Sequence, residues 1–347
     1  MLDVGFMATL TQLLAPYVAR AEAEMRATVP TLDNVPSFFG QMHYHLGWAN
    51  ERYEPEDVPT GKRVRAAFCL MTCEALAGSA ARALPAAAAI ELLHEFSLVH
   101  DDIEDGDRQR RHRPTLWTLE GVPQAINTGD GLFALAQTAL LRSTERGVPA
   151  ERVLHAQRRL NEVALHLCIG QHLDMSFQQR EAVTPEEYLT MIGGKTVALL
   201  AFAGEAGALV AGADEENVAA LRQVGEAMGL AFQMQDDLLG LWGEPERTGK
   251  PVGADIRAKK KSLPIAYALS QPSAARLRAL YAGPIESDAE VAEVNRLVEE
   301  TGAREYVSGL IREQEERAIG MLGRVAAPPK ALNSLRQLVE LLSHRDR

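Results

Sequence analysis

The chain has 347 residues, 46% of them hydrophobic, and its 36 Lys and Arg against 47 Asp and Glu leave a net charge of −11. Such an acidic chain is unsuited to wrapping nucleic acid, which needs clustered cations against its phosphates, and three cysteines, Cys69, Cys73 and Cys168, are too few for a disulfide framework. The opening MLDVGFMATL carries an acidic residue and no basic stretch, so no signal peptide is expected; no apolar run approaches the roughly 20 residues of a membrane span, and the expected compartment is the cytoplasm, without membrane insertion.

Along the chain, apolar positions recur every three or four residues near 5–27, 62–78, 84–105, 122–144, 150–179, 185–209 and 215–241. Helix-stopping residues separate these stretches: Pro30, Pro36, Gly78-Ser79, Gly147-Val148-Pro149, Thr184-Pro185 and Gly212. No alternating run of β-branched residues reads as a strand. The pattern predicts an all-α chain, a bundle of long helices forming one domain over residues 1–347. The tail from about 270 is helical but chemically plain. Residues 84–93 (LPAAAAIELL) and 196–204 (TVALLAFAG) are apolar on every side, which marks central helices. Cys69 and Cys73, one turn apart on an apolar stretch, read as buried thiols.

The helix predicted over 84–105 ends in His100-Asp101-Asp102-Ile103-Glu104-Asp105. Asp101 and Asp105 are four apart and share a face. Two carboxylates there repel each other unless a cation sits between them, and Mg²⁺ takes one or two carboxylates and completes its shell with water and phosphate oxygens. The helix predicted over 215–241 likewise ends near Gln233-Met234-Gln235-Asp236-Asp237. Acidic residues at a helix C-terminus oppose its dipole. Two such violations on two of the most apolar helices point to a shared function that outweighs the local cost.

Cations gather close to these motifs in sequence. Lys62, Arg63 and Arg65 open one helix, Arg110 and Arg111 follow the first motif, Lys195 sits in IGGKT, and Lys250 and Lys259 to Lys261 lie in TGKPVGADIRAKKKS. Carboxylate-bound metal together with Arg and Lys clamps is what a diphosphate requires. GGKT is not a nucleotide-binding P-loop, because position 189 is Leu189 where that motif needs glycine, and no strand precedes it.

In this order and spacing, GKRVR, HEFSLVHDDIEDGDRQRRHRPT, GGKT, FQMQDDLLG, TGKPVGADI and KKKSLP, running from about Gly61 to Pro264, resemble the trans-polyprenyl diphosphate synthase family, of the geranylgeranyl and farnesyl type. The resemblance implies a bundle of antiparallel helices around a deep cavity, the isoprenoid synthase fold, usually homodimeric. It implies a Mg²⁺-dependent enzyme that ionises an allylic diphosphate and condenses it with isopentenyl diphosphate. Residue by residue, it implies that Asp101 and Asp105 hold two Mg²⁺ and Asp236 a third. The allylic diphosphate would meet Arg110, Lys195, Lys250 and Lys260, and the isopentenyl diphosphate Lys62, Arg65, His94 and Arg111. Thr196 and Gln233 would lie beside the reacting carbons, so that the catalytic set comprises Asp101, Asp102, Asp105, Lys195, Thr196, Gln233 and Asp236.

The family's second motif commonly ends in a further aspartate, whereas this chain has Gly240. Two rival readings are a class I terpene cyclase, which would not need the isopentenyl-binding set, and a non-catalytic subunit of a heteromeric synthase, which only the missing carboxylate favours. In the family, the positions four and five before the first aspartate set the tunnel floor. Here these are Ser97, small, and Phe96, large. At about 100° per residue an ideal helix turns Phe96 partly away from the Asp101 face, so Ser97 lets the product pass C15 and Phe96 or Leu93 stops it later. The expectation is a C20 product, geranylgeranyl diphosphate, with C15 and C25 as alternatives.

Overall fold

The computed structural model describes residues 3–31, 35–58, 61–243 and 253–343. The first seven predicted stretches are all helical: α1 (Asp3–Thr28), α3 (Val64–Ala77), α4 (Leu84–Glu104), α6 (Val122–Leu141), α7 (Ala150–Gln178), α8 (Pro185–Ile192) running on into α9 (Ala198–Ala211), and α10 (Glu215–Trp242). The stops act as expected: α3 ends at Gly78 (φ 72°) and α9 at Gly212 (φ 92°), where only glycine adopts the left-handed conformation without strain. Thr184 and Glu187 form a reciprocal capping box that starts α8. The apolar all-round helices are central as predicted. α4 packs on α6, and α9 on α3 and α10, and Ile90, Leu92, Leu93, Phe68 and Phe202 are fully buried in the main core. Cys69 and Cys73 are buried there too.

After α10 come α11 (Leu263–Ser270), α12 (Ala275–Ala282), α13 (Asp288–Glu300), α14 (Ala303–Leu322) and α15 (Pro329–Ser343). A smaller apolar cluster of Leu241, Ile256, Leu269, Leu277 and Val294 ties the end of α10 to α11, α12 and α13.

Four features depart from the expectation. Pro36 does not break a helix but opens one, α2 (Pro36–His45), because a proline in the first turn loses no internal hydrogen bond. A short helix, α5 (Leu116–Glu120), precedes α6. A two-stranded antiparallel hairpin pairs Gln109–Arg110 with Arg113–Pro114; two residues per strand are too few to show alternation. Its loop residues, Arg111 and His112, have φ of 54° and 62°, the backbone of a tight hairpin turn usually given to Asn-Gly. Finally, Pro185–Ala211 is long and apolar enough to cross a membrane by length and composition, with a mean hydropathy of 1.3, but 78% of its most apolar stretch is buried inside the protein. Its apolarity is that of a core element.

That element is interrupted by a π-helical turn, Gly193–Val197, which joins α8 to α9. Such turns widen a helix and recur at functional sites. Here two glycines permit it. A Cβ on Gly194 would sit 2.6 Å from the His166 carbonyl oxygen, and one on Gly170 would strike the Lys195 backbone. Backbone-to-backbone contact between α7 and the turn therefore sets where Lys195 and Thr196 point.

Candidate active site

α4 is anchored by its apolar faces, and its last turn carries the first acidic motif into a cavity. Asp101 is half-buried and Asp105 exposed. Burial pushes the Asp101 carboxyl up to about 6; Lys195 opposes that rise and Asp105 adds to it. Asp102, about 100° further round the helix, points the other way. It is buried and accepts a hydrogen bond from Arg110 Nε at 2.7 Å. Asp102 thus holds Arg110, and the pair lies in a small pocket with Arg111, beside the main cavities.

A second group is built on α3 and the middle of α4. Lys62, Arg65, His94 and Arg111 line one cavity of about 200 Å³ with Thr196 and Phe232. Burial, then Arg65, holds His94 well below the usual imidazole range. The ring is neutral, and its Nε2 lies 3.3 Å from Arg65 Nη1, as an acceptor for that cation. Beneath the cavity lies a buried ionic knot. Arg63, 3% exposed, ion-pairs with Glu95, with Glu91 at 3.3 Å and with Glu22 at 2.8 Å. Glu95 is itself fully buried and also meets Arg111 Nη2 at 3.3 Å and His45 Nε2 at 2.9 Å. Burial raises the Glu95 carboxyl, but Arg63, His45 and Arg111 outweigh it and hold it well below the usual carboxylate range. The knot pins the base of the cationic cavity and one end of the Arg111 side chain, whose left-handed backbone it helps to offset.

The third group centres on the π-helical turn and the end of α10. Lys195 Nζ lies 2.5 Å from Asp174 Oδ2. Burial would lower the Lys195 ammonium, yet Asp174 and Asp101 keep its pKa raised. Thr196 Oγ1 donates to Gln233 Oε1 at 2.8 Å, Gln233 Nε2 donates to Asp237 Oδ1 at 3.1 Å, and Asp237 Oδ2 accepts from the Leu263 amide at 3.0 Å. Burial pushes Asp237 up to about 7 against the hydrogen bond from Tyr188. Asp237 therefore clamps Gln233 and the start of α11, whereas Asp236 lines a cavity of about 470 Å³ with Lys195, Thr196, Asp255, Lys260 and Lys261.

A fourth wall lies between α4 and α7, where the tunnel is expected. Phe96, Ser97, His100, Asp101, Cys168 and Lys195 line a cavity of about 230 Å³ with Gln171 and Met175 of α7. Phe96 does reach it, contrary to the ideal-helix angle, because its ring is large and leans against His100 and Phe133, at 4.8 and 5.2 Å between centroids. Leu93 does not line it; it is spent in the main core. Ser97 is turned onto its own helix, donating to the His94 carbonyl at 2.8 Å.

The three cavities share two neighbouring residues. Lys195 lies on both the acidic cavity and the one between α4 and α7, and Thr196 on both the acidic and the cationic ones. Of the residues singled out in the sequence, Lys62, Arg65, His94, Phe96, Ser97, Asp101, Arg111, Lys195, Thr196, Gln233, Asp236 and Lys260 line these cavities. Asp105 follows Asp101 at the helix end, Arg110 turns to Asp102, and Lys250 lies outside the described residues. The sequence reading missed Glu95, Gln171, Asp174 and Asp255. Gln171 is buried on the wall of the cavity between α4 and α7, with neither side-chain amide atom hydrogen-bonded. Only the pairing of Asp174 with Lys195, 21 residues away, reveals that aspartate, and no local pattern encodes it. A further cavity of about 510 Å³, beside the π-helical turn, is lined by none of the motif aspartates. Its Arg159, Arg222 and Arg317 are already paired with Glu205 and Glu226.

Residues 51–300 match the model of the polyprenyl synthetase family. The chain is 40% identical over 309 residues, 87% of its length and 84% of the relative's, to a (2E,6E)-farnesyl diphosphate synthase of Mycobacterium bovis. It is 39% identical over 327 residues, 93% and 89% of the two lengths, to a geranylgeranyl diphosphate synthase of Mycobacterium tuberculosis. Among solved structures, a polyprenyl synthetase from Streptomyces coelicolor A3(2) superposes with a TM-score of 0.89 at 39% identity, covering 96% of this chain and 99% of the other. A geranylgeranyl pyrophosphate synthase from Corynebacterium glutamicum, complexed with isoprenyl diphosphate and magnesium, superposes with a TM-score of 0.77 at 26% identity, covering 99% of both.

Proposed function

The chain belongs to the polyprenyl synthetase family and is a polyprenyl diphosphate synthase; from that premise we propose that it extends allylic diphosphates with isopentenyl diphosphate and releases the C20 product, geranylgeranyl diphosphate. The observation that carries this reading is the junction at Lys195-Thr196, where a cationic cavity, an acidic cavity and a third cavity between α4 and α7, walled in part by Phe96, Leu167 and Met175, meet. That is the layout needed by two diphosphates and one growing hydrocarbon. A terpene cyclase has no use for the cationic cavity, and a non-catalytic subunit none for the intact first motif.

The carboxylates suit magnesium. Among the described residues no three acidic, His or Cys groups converge on one point, and an ion that would take one or two carboxylates from the chain, with water and phosphate oxygens completing its shell, fits that arrangement. Asp101 and Asp105 would hold two ions and Asp236 a third. Bound there, magnesium supplies Lewis-acid stabilisation of the departing pyrophosphate. The chain's own residues do the remaining work. Lys62, Arg65 and Arg111 hold the diphosphate of the isopentenyl partner and orient its double bond towards Thr196, with neutral His94 as a hydrogen-bonding wall. Lys195 and Lys260 neutralise the allylic pyrophosphate as its C–O bond breaks, the larger electrostatic share falling to Lys195 because it is the more buried. The Thr196 hydroxyl and Gln233 amide, locked together by Asp237, present dipoles where positive charge develops on carbon. The proton lost after carbon–carbon bond formation passes to the pyrophosphate. Phe96, Leu200 and Phe232 keep these cavities apolar where water would quench the cation.

Product length follows from the tunnel wall. The small Ser97 beside Asp101 supports passage beyond C15, and Phe96, on the same cavity and braced by Phe133, supports a stop after it. Purified protein given dimethylallyl and isopentenyl diphosphates should yield C20 by mass. Ser97→Phe should shift the product to C15, and Phe96→Ala should lengthen it past C20. An unchanged product distribution in Ser97→Phe would remove the basis for this assignment.

The same reading treats residues 1–347 as one domain and the enzyme as a cytoplasmic homodimer. The use of Pro185–Ala211 in the core supports a soluble enzyme. Leu154, Leu165 and Ile169 of α7, 64%, 61% and 45% exposed, together with Ile126 of α6, support a second copy packing on that side.

A further inference from the structure

The hairpin after α4 carries Arg110 and Arg111 side by side, and both turn back onto that helix. Their partners are Asp102 and Glu95, seven residues apart on α4. Seven residues are about two helical turns, so the two carboxylates lie within about 20° of one face. Glu95, 0% exposed, is fixed by other segments as well. Its Oε1 accepts from Arg63 Nη1, and its Oε2 lies 2.9 Å from Nε2 of His45, the last residue of α2. Arg111 Nη2 donates to the same Oε1 at 3.3 Å. Gly61 bounds that guanidinium too, since a Cβ built there would lie 3.2 Å from Arg111 Nη2. The Arg111 side chain stays 28% exposed, on the cavity that it lines with Gly61, Lys62, Arg65 and His94.

We infer that Glu95 is a positioning residue for isopentenyl diphosphate, holding the Arg111 guanidinium on the wall of the cationic cavity before the substrate arrives; this role rests on the function proposed above, which gives that cavity to the isopentenyl partner. Two effects of Glu95 oppose each other. Its charge draws Arg111 away from a phosphate, which alone would make it a competitor. That effect is the smaller, because Arg63 sits on the same oxygen and balances it. Its position is the larger. Arg111 is a long side chain on a left-handed backbone, φ 54°, and a diphosphate that had to gather it from solvent would lose affinity to the ordering of that side chain. Glycine at 61 leaves the held guanidinium its space.

Steady-state kinetics of the full-length protein with Mg²⁺ test this, varying isopentenyl diphosphate against saturating dimethylallyl diphosphate and then the reverse. Glu95→Gln should raise the KM for isopentenyl diphosphate about tenfold, with kcat and the KM for dimethylallyl diphosphate within about twofold. Arg111→Ala should raise the same KM at least as far. Adding Glu95→Gln to Arg111→Ala should change it by less than about twofold, because no guanidinium is left to position. Gly61→Ala keeps every member of the ionic knot and presses on the guanidinium, so it should also raise the KM for isopentenyl diphosphate, and that rise should vanish in the Arg111→Ala background. Equal rises in both KM values, or additive losses in the double variant, would overturn the inference and leave Glu95 a structural role only. A lower KM for isopentenyl diphosphate in Glu95→Gln would overturn it by making the carboxylate a competitor. Where Glu95→Gln does not fold, an unchanged KM in Gly61→Ala, or a rise that persists without Arg111, overturns it. No isopentenyl incorporation by the unaltered protein would instead overturn the proposed function, and the inference with it.

Discussion

Asp101→Ala is expected to lower kcat/KM by about 10²–10³-fold, equivalent to about 3–4 kcal/mol of transition-state stabilisation. The carboxyl is half-buried at the end of α4, and burial raises its pKa to about 6. An anion is therefore costly there without a cation beside it, and the Lys195 ammonium supplies only part of the compensation. Removing Asp101 leaves Asp105 as the one remaining carboxylate on that face of the motif, and Asp105 is exposed and closer to solvent. Asp105→Ala should fall in the same range. The loss should appear mainly in kcat, because the interaction strengthens as charge builds on the departing pyrophosphate. Chelation should abolish turnover and added Mg²⁺ should restore it. Full turnover in excess chelator would sink the metal-assisted reading of this motif.

Arg63→Ala should be the most destabilising single change around the site, at about 3–5 kcal/mol by urea denaturation at pH 7, the cost of orphaning buried charges. Its guanidinium is almost fully buried and meets Glu22, Glu91 and Glu95. Glu95 has no route to solvent. In the unaltered protein its lowered carboxyl contributes stability that is present at neutral pH and lost as pH falls through the folded value. In Arg63→Ala the largest opposing charge is gone, so burial is expected to lift the carboxyl against the remaining His45 and Arg111. Protonation then costs the folded variant less than the unaltered protein as pH drops. The gap between the two proteins should accordingly narrow from pH 7 to pH 5. A gap that stays constant over this range would mean that Glu95 is not the charge being orphaned.

The helices, their ends and their centrality were legible in the residues because periodicity and stop signals act locally. Gly78, Gly212 and Thr184 need only their immediate neighbours to end or begin a helix. The two aspartate motifs were legible for the same reason, since spacing along one helix decides which carboxylates share a face. Pro36 was misread because the same residue breaks a helix interior and opens a helix start, and only the chain on both sides chooses between them. Phe96 was placed by an ideal angle that ignores the size of its ring and the Phe133 that braces it.

What the tertiary structure decided concerns which way each side chain faces and which partner it meets. Asp102 and Asp237 look like ligands beside Asp101 and Asp236, but a helix turns adjacent residues about 100° apart. One member of each pair therefore faces inward, to Arg110 or to Gln233 and Leu263. Lys195 meets Asp174 because Gly170 and Gly194 let two backbones touch, and Asp255 fills the space at Gly240 because Ile256 is buried beside Leu241. Sequence by itself determined the all-α class, the acidic motifs and the cations that accompany them, through interactions spanning a few residues. The meeting of three cavities at Lys195-Thr196 and the burial of Arg63 with Glu95 depend on packing between segments 20 or more residues apart, which no local period encodes.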